Sequence, residues 1–420
     1  MQGHAQNTGE PVILSVPDAG AFSIIERSDW RRYDNGRYVG LVRNEVRASI
    51  IPQSSHPAGV PHPAGAAHPA GAAHPASGDS VFYQGNFFVL QSTLRDMRQS
   101  ARAVDAIIPV SFEVFRSGSI TIEDDRGFPK MRGFPSFPNQ SVTLGAKWRA
   151  SGNRAVDPLN LGKAIVIPFI AEYEYRGIEN YSGTPVHRIY AFYGYNYQNM
   201  VEEHPYARVM GNHRVDILIR AADGLPVFMR DELNETYTLA SGSKTEFRGF
   251  TLTFGSGIVP MDKDTVLASL ENTLSFEPPA ASPAPEPPAV NTVDLQDSAI
   301  DLTPVPEGIK LTIKDIRFMP DSSEFLLSER PRLDLIAEAL KQIPGRTFLV
   351  EGHTASTGRP ASEMQLSIER ARSLIDELVR RGISADRFIY KGWGGTKPIE
   401  DNATDSGRSA NRRVEITILE

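Results

Sequence analysis

Through most of its first 275 residues the chain alternates polar and apolar positions with a period of two. Ala171-Glu172-Tyr173-Glu174-Tyr175-Arg176 sets small or aromatic groups against charges, and Val215, Ile217 and Ile219 alternate with Arg214, Asp216 and Arg220. Side chains two residues apart share one face of a strand, so both stretches predict half-buried β-strands. Thr251-Leu252-Thr253-Phe254, Val81-Phe82-Tyr83 and Phe87-Phe88-Val89-Leu90 predict others. Asp34-Asn35-Gly36 lies between two such runs, and Asn-Gly favours the left-handed backbone of a tight hairpin turn. No helical period of useful length is read in residues 109–275.

Beyond residue 300 the period changes. Ile309, Leu311 and Ile313 alternate, and Ile316 with Phe318 continue that strand after a parity change at Lys314-Asp315. Ser328 is placed to cap a helix with Pro331 in its first turn, and Leu333, Ile336, Leu340 and Ile343 form its apolar stripe before Pro344-Gly345. Phe348-Leu349-Val350 predicts a second strand. A longer helix from about Ala361 buries Leu366, Leu374, Ile375 and Leu378, with Arg380-Arg381 at its negative end and Gly382 as its stop. Phe388-Ile389-Tyr390 gives a third strand, and Val414, Ile416 and Ile418 a fourth. This βαβαββ order predicts an α+β domain with helices on one face of a small mixed sheet.

Composition supplies the boundaries. The Pro, Ala, Ser and Glu of residues 276–289 describe a semi-extended tether. A His-Pro-Ala-Gly repeat places His56, His62, His68 and His74 six residues apart. Pro at that spacing blocks a helix and Ala and Gly build no core; ordering the loop around a metal would cost ~1 kcal/mol or more per residue, so it is read as low complexity. A weaker break lies near Ile108-Pro109, after a polar, helix-compatible stretch from Ser92 to Ala106. The chain thus reads as multidomain: a tail over 1–10, a β-rich domain over 11–108 with the repeat loop at 55–78, a second β-rich domain over 109–275, a linker over 276–300 and the α+β domain over 301–420.

Net charge is −7 from 44 basic and 51 acidic residues, which gives no basic footprint for nucleic acid. There is no Cys, hence no disulfide or thiolate chemistry. The longest apolar run, Ala164 to Ala171, is broken by Pro168 and falls short of a membrane-spanning helix. Met1-Gln2-Gly3-His4 lacks the basic-then-apolar pattern of a secretory leader, which leaves a cytoplasmic chain or one whose leader is removed. The tyrosines at 173, 175, 190, 193, 195 and 197 resemble the girdle of a membrane barrel, but Pro168 and Pro226 interrupt the best strands, so sheet packing is the reading adopted. Exposed, they would offer a saccharide-stacking platform. No Gly-x-Ser-x-Gly elbow, phosphate-binding loop or His-Glu-x-x-His motif occurs. His204 with His213 makes a poor zinc pair, and Glu123-Asp124-Asp125 reads as a solvated turn. No catalytic residue, cofactor or metal site is assigned.

Glu351-Gly352-His353-Thr354, Gly358, Leu366-Ser367-Ile368-Glu369-Arg370-Ala371, Gly392-Trp393-Gly394, Pro398 and Asn411-Arg412-Arg413-Val414-Glu415-Ile416 together resemble the OmpA-like C-terminal family, over about residues 305–420. The resemblance implies a non-enzymatic periplasmic protein that holds peptidoglycan by the diaminopimelate of its stem peptide. It further implies an Asp directly after the Gly-x-Thr turn to meet the ammonium, and an Arg fifteen residues later to meet the carboxylate. Arg370 occupies the Arg position, whereas the Asp position is Ala355. Met319 replaces a frequent Asp and Glu363 a usual Asn, while Asp321, Thr354 and Arg413 remain as polar wall residues. A charge-assisted hydrogen bond contributes ~1.5–3 kcal/mol, so losing the Asp alone should weaken diaminopimelate binding about 10- to 100-fold.

The expectation is therefore an envelope scaffold or anchor in the periplasm, without a transmembrane helix, that holds peptidoglycan weakly or not at all and meets envelope proteins through its β-rich part. One alternative is a working peptidoglycan binder in which Arg370 acts with a substitute anion, Glu363, on a wall whose stem peptide carries a side-chain amine without a second carboxylate. Another is an envelope enzyme with an unrecognised site in the β-rich domains. Structural roles stand beside these: Arg370 pairing with Glu363 or Asp376, Arg412 and Arg413 bracing a loop against Asp401 or Asp405, and His353 in a structural hydrogen bond.

Overall fold

A computed structural model describes residues 10–14, 20–53, 80–92, 101–115, 119–122, 124–157, 164–198, 205–274, 300–314, 316–319 and 322–420. The repeat loop, residues 1–9 of the expected tail and residues 276–299 of the expected linker lie outside them. The chain divides into two compact units: Met1–Met97 with Ala106–Val259, and Arg98–Asp105 with Pro260–Glu420.

In the first unit twelve strands form one sheet: β1 (Phe22–Asp34), β2 (Arg37–Pro52), β3 (Ser80–Ser92), β5 (Ala106–Phe115), β6 (Ile120–Ile122), β7 (Met131–Arg132), β8 (Lys147–Val156), β9 (Ile165–Tyr181), β10 (Thr184–Gln198), β11 (Tyr206–Arg220), β12 (Pro226–Leu239) and β13 (Lys244–Gly257). The order is β6-β5-β3-β2-β1-β13-β12-β11-β10-β9-β8-β7, with antiparallel pairing throughout. Asn35 and Gly36 turn β1 into β2 with φ of +50° and +81°, the left-handed pair that Asn-Gly predicts. The expected break at 108/109 falls inside β5, and strands from both sides of it join one sheet. Alternating inward residues explain this: Val46, Ala48 and Ile50 of β2 pack with Tyr83 and Phe87 of β3 and Val110 and Phe112 of β5 across the expected boundary.

Along β9–β13 most inward positions are apolar or aromatic, including Ile167, Phe169, Ile189, Val215, Ile217 and Phe247, and His213 and Glu235 are buried among them. The opposite face carries cross-strand and neighbouring ion pairs, among them Arg149 with Glu172, Arg188 with Glu179 and Asp216, and Lys147 with Glu174. That polarity is the reverse of a lipid-facing barrel. Tyr173, Tyr175, Tyr193 and Tyr195 are buried core residues, so they form no exposed platform. Pro168 sits in β9 opposite Asn153 of β8, beyond the last β10 pairing at Ile170, where its missing N–H forfeits no ladder bond to β10.

The second unit holds α1 (Lys263–Leu274), β14 (Ile300–Val305), β15 (Gly308–Lys314), α2 (Arg330–Lys341), β16 (Phe348–Gly352), α3 (Pro360–Arg380), β17 (Phe388–Gly392), α4 (Asp405–Asn411) and β18 (Arg413–Leu419). Its sheet runs β14-β15-β18-β16-β17-β4, where β4 is Arg102–Ala103 from far upstream. The four expected strands and two long helices are present, with β14, β4, α1 and α4 added. Helix α1 corrects the all-β reading of 109–275: Leu270 is buried in the unit's core, with Val266, Leu267 and Leu274 packed against it. The cap of α2 is Glu329 without a side-chain bond, rather than Ser328, because Leu327–Glu329 forms a 3-10 turn first. Phe318 makes an isolated bridge to Phe325 and does not extend β15. Ile309, Leu311, Ile313, Val350, Val414, Ile416 and Ile418 share the sheet face under Leu333, Ile336, Leu374 and Leu378, each apolar side chain worth ~1.5–3 kcal/mol on burial.

Candidate functional site

The cleft expected to grip a ligand lies where β16 and β17 end against α3. Close approach there demands glycine: a Cβ on Gly352 would overlap the Ser367 carbonyl, and one on Gly392 would overlap the Ser367 hydroxyl. Ser367 is fully buried; its Oγ donates to the Met364 carbonyl at 2.7 Å and accepts the Gly394 amide at 2.9 Å. The Thr354 amide donates to the Gly394 carbonyl at 3.0 Å, which ties the turn after β16 to the loop after β17. Asn411, also fully buried, holds that loop by accepting from the amides of Ile399 and Glu400 and donating to the Glu400 carbonyl at 2.8 Å.

Within this frame Ala355 is buried and presents a methyl where the resemblance implies a carboxylate. Thr354 is buried as well, and among the described residues its Oγ1 has no hydrogen-bond partner. Arg370 projects from α3 one turn beyond Ser367, with its guanidinium carbon 4.6 Å from the centre of the Phe318 ring. Met319 is 46% exposed on the adjoining turn, where its amide donates to Glu324. Asp321 and His204 lie outside the described residues.

Glu363 does not stand free as a substitute anion. Its Oε1 accepts the Thr357 amide at 2.6 Å, the Thr357 hydroxyl at 3.0 Å and the Arg359 amide at 3.1 Å. These bonds, the Thr357 amide first, hold its carboxyl below the ordinary glutamate value. The carboxylate thus organises the loop that enters α3.

Arg413 shares no face with Arg370. Val414, Ile416 and Ile418 point toward the helices, so Arg413 and Glu415 point to the other side of the sheet. Arg413 donates to Glu415 at 2.6 Å and to the Lys397 carbonyl at 3.2 Å, in place of the expected Asp401 or Asp405. Asp405 pairs with Arg408, and Arg412 caps α4. His353 lies in the same layer with neither ring nitrogen hydrogen-bonded among the described residues. Burial, helped by the Arg413 charge, pushes its imidazole down to about 3, so it is neutral and not the structural hydrogen bonder expected. Glu351 beside it accepts from the Trp393 indole at 2.7 Å, and burial raises its carboxyl.

A second constellation, invisible to motif reading, lies inside the first unit. Glu235 on β12 accepts from Arg154 Nε of β8 at 2.9 Å, from Tyr195 at 2.5 Å and from Tyr237 at 2.6 Å. His213 on β11 is fully buried, with Nδ1 2.9 Å from Asp231 Oδ2 and Nε2 3.2 Å from Glu235 Oε1. Burial pushes Glu235 up, but Arg154 and His213 carry it far below its ordinary value. Burial pushes His213 down, and the Asp231 carboxylate more than restores it, so its value is raised. Each polar group serves its neighbours, the pattern of a buried, internally satisfied ion cluster. Among the described residues no group of His, Asp and Glu could hold a metal. Asp125, expected in a solvated turn, receives both Nη atoms of Arg132 at 2.6 and 2.7 Å.

Residues 317–412 match the OmpA family. The chain is 33% identical over 141 residues to a peptidoglycan-binding protein, ArfA, of Mycobacterium tuberculosis, covering 34% of this chain and 38% of that one. It is 36% identical over 135 residues to outer membrane porin F of Pseudomonas aeruginosa, covering 32% and 37% respectively. A solved cell wall anchor of the T6SS from Pseudomonas aeruginosa is 32% identical and is covered over 91% of its length, 30% of this chain, at a TM-score of 0.27. The chain spans less than two fifths of the length of the two curated relatives.

Proposed function

With an OmpA family domain at residues 317–412 as premise, we propose that this protein is a non-enzymatic anchor or scaffold of the bacterial cell envelope, working in the periplasm, whose diaminopimelate cleft has lost its anionic half. The observation that carries this reading is the buried methyl of Ala355 beside Thr354, at the position where the resemblance implies a carboxylate, with Arg370 kept at the matching position of α3. A guanidinium can hold a carboxylate there, but nothing at position 355 accepts from an ammonium. The engagement of Glu363 by Thr357 and Arg359 speaks against its replacing that acceptor. Attachment to other envelope components then falls to surfaces outside the cleft, the charged face of the β-rich unit included. The cluster around Glu235 is buried and internally satisfied, which gives no support to an enzymatic reading.

Calorimetric titration of the full chain with diaminopimelate, and sedimentation with purified sacculi, test this. Wild type should bind diaminopimelate at least 10-fold more weakly than Ala355→Asp. Wild-type binding as tight as that of the variant would overturn the proposal.

A further inference from the structure

Strand β17 is the last strand of the C-terminal domain's own sheet, and its outer edge is closed by a segment nearly three hundred residues upstream. Arg102 pairs with Ile389 and Ala103 with Tyr390, in parallel. The Val104 amide donates to the Tyr390 carbonyl at 2.7 Å. Lys391 then reaches over the segment and donates to the Val104 carbonyl at 3.1 Å and the Asp105 carbonyl at 2.7 Å. Val104 is buried, and Ala101 packs against the core of the domain.

We propose that the outer edge of β17 is a strand-accepting surface and that residues 101–104 are its built-in occupant, a strap that closes the edge against other extended chains. Three features argue for acceptance of a strand rather than a chance crossing. The register is that of a regular parallel ladder, which an unpaired edge offers to any extended backbone. The occupant seats its aliphatic residues on the domain, with Val104 buried and Ala101 packed against the core, while Arg102 and Ala103 stay exposed. Lys391 is committed to two backbone carbonyls, contacts that hold any sequence in that path, so recognition rests on main-chain geometry as in β-augmentation. Partial burial of Lys391 lowers its ammonium below the usual lysine value, in keeping with a closed clamp. Strap pairing spans only two residues, but the strap is part of the same chain, so its effective concentration at the edge keeps a free peptide of its own sequence out.

The test uses the full chain. Val104→Pro removes the amide that reaches Tyr390 and should raise hydrogen exchange along the β17 edge at least 10-fold, while the domain keeps its cooperative unfolding. A synthetic peptide of residues 98–108 should restore protection to this variant and leave wild type unchanged. Since the protein has no cysteine, Arg102→Cys with Ile389→Cys gives a second reading free of other thiols. Its disulfide should form in air and hold the edge protected even with Lys391→Ala. A peptide-reversible dimer of Val104→Pro, with a second copy's strand on the edge, would also support an acceptor. The proposal is overturned if wild type takes up the peptide, if Val104→Pro keeps full protection without it, or if the cysteine pair does not oxidise.

Discussion

The Glu363 carboxylate accepts the backbone amide of Thr357 at 2.6 Å and that of Arg359 at 3.1 Å. A side chain at the start of α3 therefore shapes the loop that leads from Ala355 into the helix. Glu363→Ala leaves these amides without their acceptor and should cost ~1–3 kcal/mol in denaturant unfolding. Glu363→Gln retains an acceptor oxygen and should cost less. Equal losses in the two variants would show that charge, not acceptance, holds the loop.

Removing one partner of a buried ion pair leaves the other charge uncompensated. Glu235→Gln or Arg154→Met should each destabilise the β-rich unit by ~3–5 kcal/mol. The double variant should lose less than the sum of the two, because the second change relieves the charge stranded by the first. A double-mutant cycle by urea unfolding measures that coupling, and strict additivity would contradict the cluster.

Two of the buried histidines, His213 and His353, respond to pH with opposite signs. His213 has a raised value, so its stabilisation is complete below about 6.5 and is lost as pH climbs through the raised folded value. Glu235 has a depressed value, so its contribution is present above about 4.3 and fades as pH falls through the folded one. His353 is lowered to about 3, so stability associated with it is present above about 6.5 and lost as pH falls toward that value. Trp30 and Trp148 report the first unit and Trp393 the second. As pH falls from about 7.5 to 5.5, His213→Gln should remove a gain from the first and His353→Leu a loss from the second. Tryptophan fluorescence during thermal unfolding of single-reporter variants checks both, and shifts of the same sign would refute the assignment.

Gly352→Ala places a methyl against the Ser367 carbonyl, a backbone atom of α3 that can retreat only with the helix. The expected cost is about 1–3 kcal/mol, with Arg370 displaced from Phe318. Unchanged stability and an unchanged crystal structure of the variant would show that the helix has room to spare.

What could be read from the sequence was what local periodicity encodes. Val350, Leu374, Ile389 and Ile416 announce their elements by spacing alone, and each lies in the strand or helix expected of it. Ala355 and Arg370 were found by register within one motif. Helix α1 was missed although Val266, Leu267, Leu270 and Leu274 carry a helical stripe, because the run is short and follows long strands. Partnerships across the chain left no local trace: nothing near Arg102 points to Tyr390, and Arg154 lies eighty-one residues from Glu235. One signal for the ion cluster was available. His213 falls on the inward parity of Val215 and Ile217, as Glu235 falls on that of Leu233 and Tyr237, and a charge at a core parity asks for a buried partner.

The pairing of β1 with β13, Phe22 opposite Gly257 through Asp34 opposite Thr245, also sets a schedule for biosynthesis. Neighbours such as β9 and β10 can zip as soon as their turn leaves the ribosome, whereas β1 must wait for more than two hundred further residues. Until then β1 and β12 each carry a long unsatisfied ladder edge open to intermolecular pairing. Nascent chains truncated before residue 244 should therefore be the aggregation-prone species that holdase chaperones shield.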